Sequence, residues 1–284
     1  MISIKKEHIK KVVCLIVAFI TAMFLLLSAL AGVSDLLTSK SYILYTVGST
    51  KYLENAKQML KDGLSSLAIP SGLPENFFDD KINSEKLYSI NRGFIISCYD
   101  TGNVKINNDD LKQELIGQFK DYANSGALAS TVDINDESLS YLADRCVEQY
   151  MTVGGNTVFR YICIYSARVN KYIIYALIFT LFFSVLGILF LIKLSYGNGK
   201  KYLYFSLCGG GCLSAVLPLI LLLGGYIGKL GISSKAMHSF VSAYLNNALI
   251  ILSVFGLLLI VIAVLILWGE RRLKQKFYEN EKNT

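Results

Sequence analysis

The chain has 284 residues, of which 53% are hydrophobic and only 17% charged, with a mean hydropathy of +0.46 and a formal net charge of +7. A soluble domain carries about 25% charged side chains, so the deficit points to a membrane protein before any segment is considered. The positive charge is no nucleic-acid signal: residues 34–171 hold 17 Asp or Glu against 14 Lys or Arg, the reverse of the balance that RNA or DNA requires.

The first eleven residues form a basic tail with Lys5, Lys6, Lys10 and Lys11, followed by the charge-free run Val12–Val33. About 20 apolar residues cross a bilayer as a helix, so this run predicts a first span. Its basic start and its Ser28-Ala29-Leu30-Ala31 end also resemble a cleavable signal peptide. The run is longer than a usual signal core, which favours an uncleaved anchor; either way the segment that follows faces outward.

Residues 34–171 show helical periodicity throughout. Leu53, Ala56, Leu60, Leu64 and Leu67 form one stripe, and Leu87, Ile90, Phe94 and Cys98 a second, with Ser84 as its expected N-cap. Leu111, Leu115, Phe119 and Tyr122 form a third behind Asn108 as cap; Asp109 and Asp110 in its first turn suit the positive helix end. Leu139, Leu142, Cys146 and Tyr150 make a fourth. After a break at Gly154-Gly155-Asn156, the stripe Val158, Ile162, Tyr165, Val169 is expected to run into the second span. The segments Ile106–Tyr122 and Ile134–Tyr150 look alike, as a duplicated helix or as any two capped amphipathic helices would. Between the first two stripes lies IPSGLPENFFDDKI, Ile69–Ile82, whose prolines interrupt a helix. There Phe77, Phe78, Asp79 and Asp80 read either as a surface anchor for a protein partner or as a cover on the open end of the bundle.

Three more charge-free runs follow: Tyr172–Ile192, Tyr202–Ile227 and Ala248–Trp268. Lys193, Lys200 and Lys201 lie in the 193–201 connection, while the 228–247 connection holds only Lys229 and Lys235; Arg271, Arg272, Lys274 and Lys276 stand in the 269–284 tail. Positive residues stay inside, so both termini and the 193–201 loop are expected in the cytoplasm of a plasma membrane. Residues 34–171 and the 228–247 loop are then outside, and Arg271-Arg272 faces anionic lipid headgroups. The expected fold class is all-α: four transmembrane helices with an extracytoplasmic helical bundle inserted between the first and second.

The third run contains SLCGGGC, Ser206–Cys212. Ser206, Gly210 and Ser214 recur every four residues, as do Gly211 and Ala215, and Pro218 follows. Small residues at that spacing let membrane helices approach closely, and Pro218 is expected to kink the helix. A metal reading of Cys208 and Cys212 lacks ligands, because the chain's two histidines, His8 and His238, lie in the tail and the outer loop. The other three cysteines, Cys98, Cys146 and Cys163, permit at most one bridge and sit on apolar helical faces where a free thiol is at home.

Catalytic patterns are sparse. Asp133–Glu137 alternates oxygen-bearing residues like a calcium loop, but Ser138 stands where such a loop needs glycine. His238 has Ser233, Ser234 and Ser239 around it, a composition that a polar loop also has. No phosphate-binding or metalloprotease motif is present, and no Asp, Glu, Lys or Arg lies inside a span to carry ions. The residues therefore call for no cofactor and no enzyme activity.

The runs YLENAKQML…LAIPSGLPENFFDDKINSEKLY and KKYLYFSLCGGGCLSAVLPL resemble a group of Gram-positive, clostridia-like membrane proteins that is itself uncharacterised; the resemblance implies a bacterial plasma membrane and a helical outer domain. The order of one span, a large outer domain and three spans also resembles permease subunits of the MacB and FtsX type. That resemblance implies a cytoplasmic ATPase partner, coupled through Lys200, Lys201 and Tyr202, and an outer domain containing strands, which the periodicity here does not supply. The expectation is a non-enzymatic envelope binding or sensing module, with such a permease subunit as the alternative.

Overall fold

Every regular element among the described residues is helical. The computed structural model describes residues 2–49, 51–102, 108–125, 136–155, 157–194 and 199–282. In chain order the helices are α1 (Ile2–Thr38), α2 (Lys40–Ser49), α3 (Tyr52–Ala68), α4 (Ser84–Thr101), α5 (Asp109–Asn124), α6 (Asp136–Gly154), α7 (Thr157–Leu194), α8 (Gly199–Leu223) and α9 (Lys235–Lys282). Four stretches are long and apolar enough to span a membrane: His8–Thr38, Thr157–Lys193, Lys201–Leu223 and Lys235–Gly269. The chain divides into two compact units. One is apolar (Met1–Leu37, Asn170–Lys229, Leu245–Thr284), and the other is a helical domain (Thr38–Val169, Leu230–Tyr244).

In the helical domain the sequence stripes become the core. Ala56, Leu60 and Leu64 of α3, Leu87, Phe94 and Cys98 of α4, Leu111, Leu115 and Phe119 of α5, and Cys146 and Tyr150 of α6 are buried together. Asn83, rather than Ser84, caps α4: its side chain accepts from the Glu85 N–H at 2.9 Å. The helix α2 has no counterpart among the sequence stripes. Its buried side is Tyr42, Ile43, Thr46 and Val47, a pattern too short and too polar at Thr46 to stand out. The α7 stripe also differs in register: Val158 and Tyr165 are exposed, and Phe159, Cys163 and Ser166 turn inward instead.

The larger correction concerns residues 228–247, expected as an outer loop. A 3-10 turn at Ile227–Lys229 leads to α9, which starts at Lys235 and places Ala236, Met237 and Phe240 in the core of the helical domain. The Met237 N–H donates to Ser234 Oγ at 3.3 Å, the geometry of an N-cap. Asn55 Nδ2 donates to Ser239 Oγ at 2.6 Å and Tyr42 Oη donates to the Tyr244 carbonyl at 3.0 Å. The Phe240 ring meets Phe159 at 4.8 Å and Tyr52 at 6.2 Å, edge to face. This bundle is thus completed by a segment some 60 residues beyond its main body. The stripe Ala236, Met237, Phe240, Tyr244 is helical in spacing, but the serines, His238 and the asparagines around it hide it.

In the apolar unit the four stretches pack through small residues. A Cβ at Gly256 of α9 would stand 2.6 Å from the Ala215 nitrogen and the Gly211 carbonyl oxygen of α8, and one at Gly211 would stand 2.7 Å from the Gly256 carbonyl oxygen. Gly210 faces α1 instead, with Ala22 O and Leu25 Cβ each 3.1 Å from a Cβ there. Gly187 of α7 lies against the Thr21 hydroxyl of α1. Pro218 is buried inside α8 without ending it; Gly225, at φ 60°, does, so the third apolar helix stops before the expected boundary at Ile227.

Two outcomes follow. Phe240→Ala should lower the stability of the helical domain by about 3–5 kcal/mol, as loss of a fully buried ring does; an unchanged thermal melt of the purified chain would separate residues 230–244 from the domain. Gly256→Leu should reduce folded yield and melting temperature sharply, since backbone atoms that cannot yield close the site. Gly269→Leu, with open space around it, should leave both unchanged.

Candidate functional site

The proline joint is built by local rules. Pro70 sits in the first turn of a 3-10 segment, Ile69–Ser71, where its missing N–H is no loss. Gly72 follows at φ 76°, with its N–H on the Ile69 carbonyl at 3.2 Å and the Leu73 N–H on the Ala68 carbonyl at 3.0 Å. That is a Schellman ending, and Leu73 supplies its buried apolar contact. A run of turns, Phe77 N–H to Pro74 O at 2.9 Å and Ile82 N–H to Phe78 O at 3.2 Å among them, then folds the joint back along α3.

This fold-back decides the fate of the four residues expected as a partner surface. Phe77 and Phe78 are 7% and 1% exposed, so they cannot anchor a partner. They stack edge to face at 5.0 Å and meet Phe119 at 5.8 and 6.1 Å, covering the bundle between α3 and α5. Lys81 Nζ lies 3.1 Å from the Phe77 ring centroid, and burial holds its ammonium below the ordinary lysine range. Asp80 is exposed. Asp79 is turned toward α3, with Oδ2 2.9 Å from Lys61 Nζ, while its Oδ1 is buried with no hydrogen-bond partner.

Between α3 and the joint lies a cleft of about 580 Å³ lined by Lys61, Asp62, Ser65, Ser66, Ile69, Glu75, Asn76 and Asp79. The spacing of the α3 residues puts them on one side of the helix. Asp62 accepts from Gln58 Nε2 at 2.8 Å, and Ser65 Oγ donates to the Glu75 carbonyl at 3.1 Å, which ties the joint to the helix across the cleft floor. Three carboxylates surround one ammonium, so the cleft is net acidic and rich in acceptors. Its lining contains no histidine, cysteine or paired nucleophile and base. Its lining offers carboxylate, hydroxyl and amide oxygens, suited to charge and hydrogen-bond contacts with a donor-bearing group. A second groove of about 430 Å³ runs between α2, α3 and α4, lined by Leu44, Tyr45, Gly48, Leu53, Ser84, Glu85 and Tyr88. It is apolar because Gly48, lacking a Cβ, admits the Tyr88 ring.

The other sequence candidates separate. Ser206, Gly210, Gly211, Ser214, Ala215 and Pro218 lie in the apolar unit and are buried; Gly256, their counterpart on α9, is a lone glycine in an apolar run and carries no motif. Cys208 is half-buried, Cys212 is exposed, and all six cysteines are free. Lys201 is exposed and Tyr202 half-buried in the first turn of α8, whose first residues include Lys200; the Gly197-Asn198 part of the 193–201 loop lies outside the described residues. So does most of Asp133–Glu137, with Asp136 and Glu137 opening α6. His238 is in α9, not in a loop, and Ser234 and Ser239 beside it are engaged in the capping and packing bonds above. No protein-family model matches the chain, and neither a curated protein nor a solved structure matches it significantly.

The domain also buries ionisable groups. Burial pushes the Cys146 thiol and the Tyr150 phenol up to about 12, from ordinary values of 9.0 and 10.0, and raises the Tyr52 phenol further. Each folded pKa is above its unfolded value, so the folded state holds the proton more tightly. The stabilisation this confers is complete below about pH 9 and is lost as pH climbs toward 12. The melting temperature should fall progressively over that window, followed by circular dichroism; a flat profile from pH 9 to 12 would contradict the burial of these groups.

Proposed function

We propose that this chain is a plasma-membrane binding or sensing module of the bacterial envelope, non-enzymatic, with its helical domain outside the cell and both termini in the cytoplasm. The observation that carries the reading is the acidic cleft between α3 and the proline joint, which offers Asp62, Glu75 and Asp79 around Lys61. It suits a ligand or protein partner that presents a cation or hydrogen-bond donors. The unpartnered Asp79 Oδ1 supports the same view, since a buried carboxylate oxygen gains most from a donor brought by a ligand. The Lys61–Asp79 pair is more than a third exposed on both sides, so it adds little to stability and opens readily to an incoming group.

The outward placement rests on the positive residues beside the spans. Helix continuity supports a relay role: α7 and α9 each belong to the helical domain at one end and to the apolar unit at the other.

Two measurements test this reading. Asn76→Cys in intact cells should react with a membrane-impermeant maleimide, and absence of reaction until the cells are lysed would put the domain inside. A photo-crosslinking residue at Asn76 should yield an adduct that is lost in Glu75→Lys and Asp79→Lys; equal adducts from a distant exposed site such as Tyr141 would remove the cleft from binding.

The permease reading keeps one supporting feature, the order of one apolar helix, a domain and three more. It implies recovery of a cytoplasmic ATPase after mild crosslinking in the native membrane, lost when Lys200, Lys201 and Tyr202 are changed together. An all-helical domain weighs against it, because the strand content implied by that resemblance is missing from the described residues.

A further inference from the structure

The basic residues beside the apolar helices collect at one end of the apolar unit. Gly187 of α7 lies against Thr21 of α1, and Leu177 lies 3.8 Å from a Cβ at Gly32, so these two helices run antiparallel. Gly211 of α8 reaches Ile260 of α9 while Ala215 meets Gly256, so that pair is antiparallel as well. Only four residues separate Leu194 from Gly199, a connection of at most about 18 Å, which keeps the start of α8 at the end of α7. The start of α1, the end of α7, the start of α8 and the far end of the apolar stretch of α9 therefore share one end. Lys10, Lys11, Lys193, Lys201, Arg271 and Arg272 stand there, all exposed. In the sequence, residues 1–11, 193–201 and 269–284 hold 12 Lys or Arg against four Asp or Glu.

Within this basic end α9 has a particular geometry. Its apolar stretch closes at Gly269, and Trp268, the chain's single tryptophan, is 51% exposed beside that boundary. One turn on, the Arg272 guanidinium carbon lies 3.8 Å from the centre of the Trp268 ring. Stacking occupies the flat face of the guanidinium and leaves its N–H groups in the plane, a fork that matches two oxygens of a phosphate. The ion pairs among the described residues all lie in the helical domain, so none of them neutralises Arg271 or Arg272. Leu203, Tyr204 and Ile266 pack on one apolar cluster with Leu207 and Ala263, which brings the first turn of α8, with Lys201, to this end of α9.

We propose that Trp268, Arg271 and Arg272, with the charge of Lys201 beside them, form a binding site for the phosphate of an anionic phospholipid headgroup. The inference rests on the apolar unit lying in a membrane and is independent of the acidic cleft. An indole at the end of a span sits at headgroup depth, the depth at which lipid phosphates lie. Net charge selects the lipid: a zwitterionic headgroup brings a cation that the basic end repels, whereas an anionic one is attracted throughout, as basic clusters at the end of a span attract it. The acyl chains hold a lipid at the site and give its phosphate an effective concentration that a free anion lacks.

The test uses the full chain in vesicles with the same lipids in both leaflets, so that orientation does not enter, and Trp268 is its own probe. Phosphatidylglycerol and phosphatidylcholine, each brominated near the top of its acyl chains, are compared as quenchers of Trp268 emission at equal mole fraction. Brominated phosphatidylglycerol should quench several-fold more strongly; this comparison needs no variant and stands whatever a substitution does to folding. The preference should disappear in Arg272→Gln and fall in Arg272→Lys, which keeps the charge but loses the planar fork. Lys10→Gln removes the same charge from α1 and should keep the preference. Equal quenching by the two lipids would overturn the site. A preference that survives both Arg272 variants, or a loss as large in Lys10→Gln, would replace the site with a diffuse basic surface. Reversal by inorganic phosphate would overturn the lipid as the occupant and assign a soluble anion.

Discussion

Three rings, Tyr52, Phe159 and Phe240, meet edge to face at the centre of the helical domain, 5.4 Å, 6.2 Å and 4.8 Å apart. They come from α3, α7 and α9, so the contact joins pieces of chain that two apolar helices separate. Around it the Tyr52 phenol donates to the Val153 carbonyl at 3.2 Å, and α9 is tied to α2 and α3 by the Tyr42 and Asn55 bonds. Edge-to-face aromatic pairs contribute about 0.5–1.5 kcal/mol beyond their buried area. The larger effect is closure: without Phe240, the inner faces of α3 and α7 open to water. The core of the domain therefore draws on residues that lie on both sides of two apolar helices in the sequence.

The apolar unit depends on a different physics. Among lipid tails no hydrophobic gain drives helix against helix, and close packing has to do the work. Gly211 and Gly256 bring α8 and α9 to backbone contact, Gly210 brings α8 against the Ala22 carbonyl of α1, and Gly187 of α7 makes room for the Thr21 side chain of α1. The small residues of SLCGGGC thus serve two neighbours at once, one on each side of the helix. A metal or dithiol reading asks the two cysteines to converge on something, yet Cys212 faces outward while the glycines beside it are the buried surface.

The cleft is small, acidic and formed by one helix and the joint folded on it, so its chemistry suits a donor-bearing or cationic group.

How much of this the sequence determined follows from which interactions are local. Apolar runs of twenty residues, i, i+3, i+7 stripes, caps and proline breaks act within one or two turns, so the four long apolar helices, the all-α class and the buried faces of α3 to α6 were legible without coordinates. Tertiary structure decided what depends on distant partners. Phe77 and Phe78 look like a surface pair until the Schellman turn at Gly72 folds them onto Phe119. Residues 230–244 read as a polar loop until Tyr52 and Phe159 give Phe240 a place to go. The α7 register shifted from Tyr165 to Cys163 for the same reason. The cleft has no motif because its lining is assembled across the joint, from residues up to 18 positions apart between Lys61 and Asp79. A stripe records that a face will be buried; only the fold supplies the surface that buries it.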